Sequence, residues 1–200
     1  MSPRTKEQNE EIRLQRVREI MKAAVDVYLE QGITMEMRDI AAKAGLGYGT
    51  VYHYYKNKLM LLEDLLWLAF EEARLLTNKA IAADGDSRQR LRRYTSMLLG
   101  HWFYDRSTYI LYKMIWENFH QVPGGRFQML YDRFQTDLHE PLVRVVQEAL
   151  GGMEPESKAN LLLGSMIGCA GLWIHHGHDE PDTDQMAASL LAGVLGKELL

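Results

Sequence analysis

Apolar residues recur every three to four positions along most of the chain, and the two-residue alternation of a half-buried strand is missing. The pattern predicts helices throughout. The first, over about residues 12–31, sets Leu14, Val17, Met21, Ala24 and Tyr28 on one face and stops at Gly32. A short helix follows from Arg38 to Ala44, with Ile40, Ala41 and Ala44 on one side and Thr34 as its expected N-cap. Glu36 then serves the dipole of that helix at its N-terminus. Gly45 supplies a left-handed turn at no steric cost, and a second short helix runs from about Tyr48 to Tyr55. A long helix over 58–82 carries Leu62, Leu65, Leu66, Ala69, Phe70 and Ala73 and is broken by the polar run at 83–86.

The remaining helices fall near 87–104, 107–120, 126–150, 156–176 and 183–199, with breaks at Pro123-Gly124-Gly125, Gly151-Gly152 and 175–182. Pro141 is expected to kink the 126–150 helix or to mark a new start. Residues 1–11 read as an arm, in which Arg4 and Lys6 are either minor-groove contacts or part of a solvated tail. The fold class is all-α.

Two short helices joined through a three- to four-residue turn containing glycine form the helix-turn-helix, whose second helix enters the DNA major groove. Here that helix carries Tyr48, Thr50, Tyr52, His53 and Tyr54 and is followed by Lys56 and Lys58, side chains suited to phosphates and base edges. From Gly32 to Leu65 the chain resembles the TetR family of bacterial transcriptional regulators. The residues that carry the likeness are Arg38-Asp39-Ile40-Ala41, Ala44-Gly45, Gly49-Thr50-Val51-Tyr52-His53-Tyr54-Tyr55 and Lys56-Asn57-Lys58. It extends over about residues 12–73 and is only architectural beyond them.

The resemblance implies an N-terminal three-helix DNA-binding domain over 13–73, with its motif at about 36–55. It also implies a C-terminal helical effector-binding and dimerisation domain over 74–200. By similarity Arg38 and Tyr48 approach bases, with Gly49 in the same interface. Thr50, Tyr52, Tyr54 and Lys58 hold phosphates, and His53 lies along the groove edge. The chain departs from the family pattern at Gly47, where a serine N-cap is usual, and at Met35-Glu36, where hydroxyl side chains are usual.

Charge agrees with a localised DNA footprint. The net charge is −4, but residues 1–60 hold ten Lys/Arg against eight Asp/Glu, while residues 61–200 hold thirteen against nineteen. The single cysteine, Cys169, excludes an intramolecular disulfide and fits a reducing compartment. A polar N-terminus argues against a signal peptide, and the longest apolar run, Leu161 to Ile174, is fourteen residues, short of the roughly 20 that cross a membrane. The expectation is a cytoplasmic protein with no membrane partner and no cofactor.

The segment 101–134 holds ten of the nineteen aromatic residues. They are either a bulky helical core or the walls of a cavity with adaptable methionines. The resemblance favours the cavity, since such regulators bind a small effector in the body. Candidate lining residues are Trp67, Phe70, His101, Trp102, Tyr109, Tyr112, Trp116, Glu117, His120, Phe127, Tyr131, Phe134 and Met166. Glu117 is either a carboxylate for a cationic effector or a solvent-facing side chain.

Gly164, Gly168 and Gly171, four and three residues apart, allow close helix approach. With Leu172 and with Leu190, Leu191 and Val194 of the last helix they suggest a four-helix seam between two copies, or else an intramolecular core helix. His175, His176, His178, Asp179 and Glu180 suit a solvated loop at a helix C-terminus better than a metal site.

No catalytic motif is evident: Gly-x-Ser-x-Gly, P-loop, His-Glu-x-x-His and Cys-x-x-Cys are all missing. The expected function is a homodimeric regulator of near-palindromic operator DNA, not an enzyme, acting as a repressor released by a small apolar or aromatic effector. Two alternatives stand beside it: an architectural DNA-binding protein without effector, and a helical enzyme fused to a DNA-binding head.

Overall fold

A computed structural model describes residues 5–82, 84–121, 127–151, 154–177 and 181–196, without the side chain of His120. His178, Asp179, Glu180, Arg4 and the Pro123-Gly124-Gly125 break lie outside the described residues. Among those described the secondary structure is helical, with no strand. Contacts divide the chain into two compact units, Met1–Leu65 and Leu66–Leu200. This division and the expected one at 73/74 both fall inside the same helix.

In the first unit, α1 (Lys6–Gln31) begins well before residue 12, because Thr5 caps it. The Thr5 hydroxyl accepts from the Gln8 N–H at 3.2 Å, and the Gln8 side chain accepts from the Thr5 N–H at 3.0 Å. The expected arm is therefore largely a helical turn. The buried face also differs from expectation: Ala24 and Tyr28 are buried, but Leu14 is exposed and Ile20, Ala23 and Val27 complete the stripe. The hydrophobic positions thus follow 20, 23, 24, 27 and 28, the spacing of one helical face. Gly32, at φ 64°, ends α1 in a conformation open to glycine.

Short α2 (Met37–Lys43) and α3 (Tyr48–Tyr54) follow. The N-cap of α2 is Glu36, not Thr34; the Asp39 carboxylate accepts from the Glu36 N–H at 3.1 Å. Thr34 lies instead in a 3₁₀ turn, where its hydroxyl donates to the Gln31 carbonyl at 2.7 Å. Between α2 and α3, Gly45 at φ 65° lets the Leu46 N–H reach back to the Ala41 carbonyl at 3.0 Å. Met35, Ile40, Ala41, Val51 and Tyr55 are buried and hold the two short helices to α1 and to the start of α4 (Lys58–Ala82).

The second unit contains the rest of α4, α5 (Ser87–Tyr104), α6 (Arg106–Trp116), α7 (Phe127–Phe134), α8 (Glu140–Leu150), α9 (Pro155–His176) and α10 (Thr183–Leu195). Helix α5 is central: it packs on α6, α8, α9 and α10 and buries Leu91, Tyr94, Thr95, Leu98, Leu99 and Trp102. Asp86, Asp105 and Asp182 cap α5, α6 and α10, each accepting a backbone N–H at 2.9 Å.

At Pro141 the structure has the new start of the two expected forms. A π-helical turn at Gln135–His139 joins α7 to α8, and the Glu140 N–H donates to the Gln135 carbonyl, five residues back. Pro141 then opens α8, where a missing N–H costs least. Among the described residues, no helix is long and apolar enough to cross a membrane.

Candidate nucleic-acid interface and body interior

Helix α3 buries only Val51 and turns its other side chains outward. Tyr48 and Tyr52, one turn apart, meet at 4.7 Å between ring centroids with their planes tilted by 46°, and are 52% and 36% exposed. The Tyr52 phenol beside it raises the pKa of Tyr48, so the Tyr48 hydroxyl stays protonated as a hydrogen-bond donor near neutral pH. Thr50 and His53 are exposed, and His53 meets Tyr54 edge-on at 5.4 Å. A Cβ added at Gly49 would meet nothing within 4 Å, so the backbone there is open to close approach.

Gly47 caps α3 with no side-chain hydrogen bond. The chain's departure from a serine cap therefore leaves α3's first N–H groups to an outside acceptor, as a phosphate can be.

The α3 register depends on Tyr55. Its ring is buried, and burial together with the neighbouring Asp64 carboxylate pushes its pKa well up. The phenol therefore anchors the C-terminal end of α3 to α4 as a neutral donor.

Two sequence-named cations are engaged in ways spacing does not show. Arg38 is largely exposed, yet its Nε lies 2.9 Å from the Glu36 carboxylate. The Lys58 Nζ donates to the Ile33 carbonyl at 2.7 Å and to the Met35 carbonyl at 3.2 Å, closing the turn before α2. An ammonium has three donors, so one remains for a phosphate. Met35, Glu36, Met37, Arg38, Tyr48, Tyr52, Asn57 and Lys58 together bound a groove of about 610 Å³.

In the body, Trp102 touches Tyr109 at 5.8 Å and Tyr112 at 5.1 Å, and Tyr112 touches Phe134 at 5.0 Å, all edge to face. Phe119 and Phe127 pair at 4.5 Å and Trp67 and Phe70 at 5.6 Å, while Met166 is fully buried. One aromatic residue not named from the sequence, Tyr94, also sits inside this cluster. The Tyr94 hydroxyl lies 3.5 Å from that of Tyr112, and burial pushes both phenols up, Tyr112 to about 12. Tyr94 stands on the apolar stripe of α5, the signal that could have found it. The indole Nε1 of Trp102 is buried without a hydrogen-bond partner.

Other expected pocket residues lie outside this cluster. Trp116 and Glu117 are exposed, and Glu117 pairs with Lys113, which favours the solvent-facing reading of the carboxylate. Trp116 and Tyr131 instead border a cleft of about 250 Å³ with Ile115, Asn118, Gln135, His139, Glu156 and Asn160. In it His139 Nε2 lies 2.7 Å from Asn160 Oδ1.

The proposed seam divides in a similar way. Gly164 and Gly168 face nothing within 4 Å, with Leu161 and Leu172 exposed beside them. A Cβ on Gly171 would sit 2.6 Å from the Tyr109 hydroxyl of the same chain, so its smallness serves the α6–α9 contact. Leu191 and Val194 are buried in their own chain, while Leu190 is part-exposed and lines a groove of about 350 Å³ with Cys169, Trp173 and Met186. His175 and His176 end α9 as exposed side chains.

Residues 20–65 match the model of the bacterial regulatory proteins of the tetR family. No curated protein matches the chain. Solved structures with the same fold include the ketosteroid transcriptional regulator KstR2 of Mycobacterium tuberculosis, 18% identical at a TM-score of 0.71 over 90% of this chain and 93% of that one. AibR in complex with isovaleryl coenzyme A and operator DNA is 18% identical at a TM-score of 0.69, over 90% of this chain and 98% of that one. FadR from Bacillus subtilis in complex with stearoyl-CoA is 18% identical at 0.64, over 90% and 98%. The helix-turn-helix unit thus matches the tetR-family model over residues 20–65, and the helical body shares its fold with these solved regulators.

Proposed function

We propose that the chain is a homodimeric repressor, released from a near-palindromic operator by a small, largely apolar effector held in the body. The observation that carries the DNA-binding half is α3, anchored by Val51 and Tyr55 and otherwise offering Tyr48, Gly49, Thr50, Tyr52 and His53 outward. By the same proposal Arg38 and Tyr48 meet bases, and Thr50, Tyr52, Tyr54 and Lys58 meet phosphates. The exposed α9 face at Leu161, Gly164, Gly168 and Leu172, with Leu190 of α10, supports a seam between two copies.

The effector half rests on the aromatic interior. A buried indole N–H without a partner costs about 1–3 kcal/mol, a penalty that an acceptor on a bound molecule would remove. This favours a sensor over an architectural protein with a solid body, the second reading that the close ring packing supports. AibR and FadR were solved with acyl-CoA thioesters, so these are the first effector class to test here.

The test is operator release by acyl-CoA esters of graded chain length, followed by fluorescence anisotropy, with wild type and Trp102→Phe. Release by wild type that is blunted in Trp102→Phe, with effector-free DNA binding intact, supports the reading. Trp102→Ala is less suitable, because emptying a fully buried indole site costs about 3–5 kcal/mol of stability. If no ester or other apolar compound loosens the complex, the body is scaffold.

A further inference from the structure

We propose that Glu72, His101 and Asp105 form a binding site for a divalent transition cation of the zinc class. Glu72 comes from α4, His101 from the last turn of α5, and Asp105 from the corner between α5 and α6. One ligand atom from each lies within 4.8 Å of the other two. The His101 Nε2 is 3.5 Å from the Glu72 Oε2. Two ligands held about 2.0–2.2 Å from a zinc-class ion at a tetrahedral angle are about 3.3–3.6 Å apart, so this pair needs almost no movement.

The local chemistry fits a cation better than it fits three side chains alone. The His101 Nε2 is buried and has no hydrogen-bond partner, as an imidazole nitrogen kept for a metal should. Two carboxylates are held against one another beside it. Two carboxylates side by side attract a cation, and the His101 Nε2 facing them completes a three-donor set.

Asp105 is also pre-oriented. Its Oδ1 accepts from the Ser107 N–H at 2.9 Å and from the Ser107 hydroxyl at 2.7 Å, leaving Oδ2 for the cluster. One imidazole and two carboxylates suit zinc, cobalt, nickel or manganese, and three protein ligands leave a position open. The sequence only half marks the site: His101 and Asp105 are four apart, a spacing that suits two ligands, but Glu72 comes from a different helix.

The test uses the full chain stripped with a chelator and titrated with cobalt(II) alone, read by the visible absorption that cobalt gains on coordination. The expected result is one cobalt per chain, displaced by zinc, with a rise in melting temperature. His101→Gln weakens binding by more than the roughly 10–100-fold that loss of a mere outer partner costs. Asp105→Asn, which keeps the α6 N-cap, also weakens it. A variant with His175, His176 and His178 all changed to Ala retains it. No cobalt uptake by wild type overturns the proposal. So does binding that survives His101→Gln and disappears with the three terminal histidines.

Discussion

Arg38 and Glu36 hold each other at 2.9 Å on the surface that α3 shares, so part of the charge offered to DNA is already spent within the protein. An exposed pair of this type is worth about 0–1 kcal/mol. Glu36→Gln should therefore free the guanidinium and remove a like charge facing phosphate. The expected outcome is DNA binding strengthened by up to about 5-fold at low salt, checked by anisotropy titration; weaker binding would show that Glu36 positions Arg38.

Lys58 is a clamp on the turn before α2 and a proposed phosphate contact, and one variant separates the two. Lys58→Ala should lower the salt-dependence slope by about 1, the loss of one phosphate contact, and should weaken all sequences alike. It should also lower the urea midpoint, since the Ile33 and Met35 carbonyls lose their donor. An unchanged slope with a lowered midpoint would leave Lys58 a purely structural clamp. The type and position of these residues were legible in the sequence. Their partners were not, because Lys58 closes on a turn more than twenty residues away.

At the scale of elements, long helices with one apolar face were the most legible. Helix α4 runs from Lys58 to Ala82 and α5 from Ser87 to Tyr104, as periodicity and the capping Asp86 require. Ends and irregular turns were less so. The α1 start depends on a reciprocal Thr5–Gln8 cap, and the join of α7 to α8 on a π turn that accommodates Pro141 by register. The glycines of α9 look alike in sequence but have different surroundings: Gly171 meets Tyr109, while Gly168 meets nothing.

That difference gives a clean test of the proposed seam. Leu at Gly168 should fit the chain's own fold and stabilise α9 by roughly the 1 kcal/mol that a helix-interior glycine costs. The same side chain should hold two copies apart. Gly168→Leu is expected to be a folded monomer in light scattering, with operator affinity greatly reduced. A dimer that still binds operator tightly would place the seam elsewhere.

For the whole molecule, the chain passes from the first unit to the second inside α4 without a helical break. An effector acting through that element must couple to DNA reciprocally. Couplings of this type are typically about 1–3 kcal/mol, or 5–150-fold. Operator DNA should weaken effector binding by the same factor by which effector weakens DNA binding, as paired calorimetric titrations would show. The tetR-like helix-turn-helix was legible because the Arg38 to Lys58 segment is local in sequence, and the all-α fold because its apolar periodicity is. The body's polar interior was not, since Tyr94, Tyr112 and Trp102 come together only by packing of α5 against α6.

The most direct test of the central claim is selection of duplexes from a random pool by the purified chain, followed by hydroxyl-radical footprinting of the enriched sequence. The account predicts a near-palindrome whose two half-sites are contacted in successive major grooves, with centres about 34–36 Å apart or slightly more. Arg38→Ala should relax the preference at one base position in each half-site. A pool that shows no enrichment, or a selected site read identically by wild type and Arg38→Ala, would contradict docking through α3 and the start of α2.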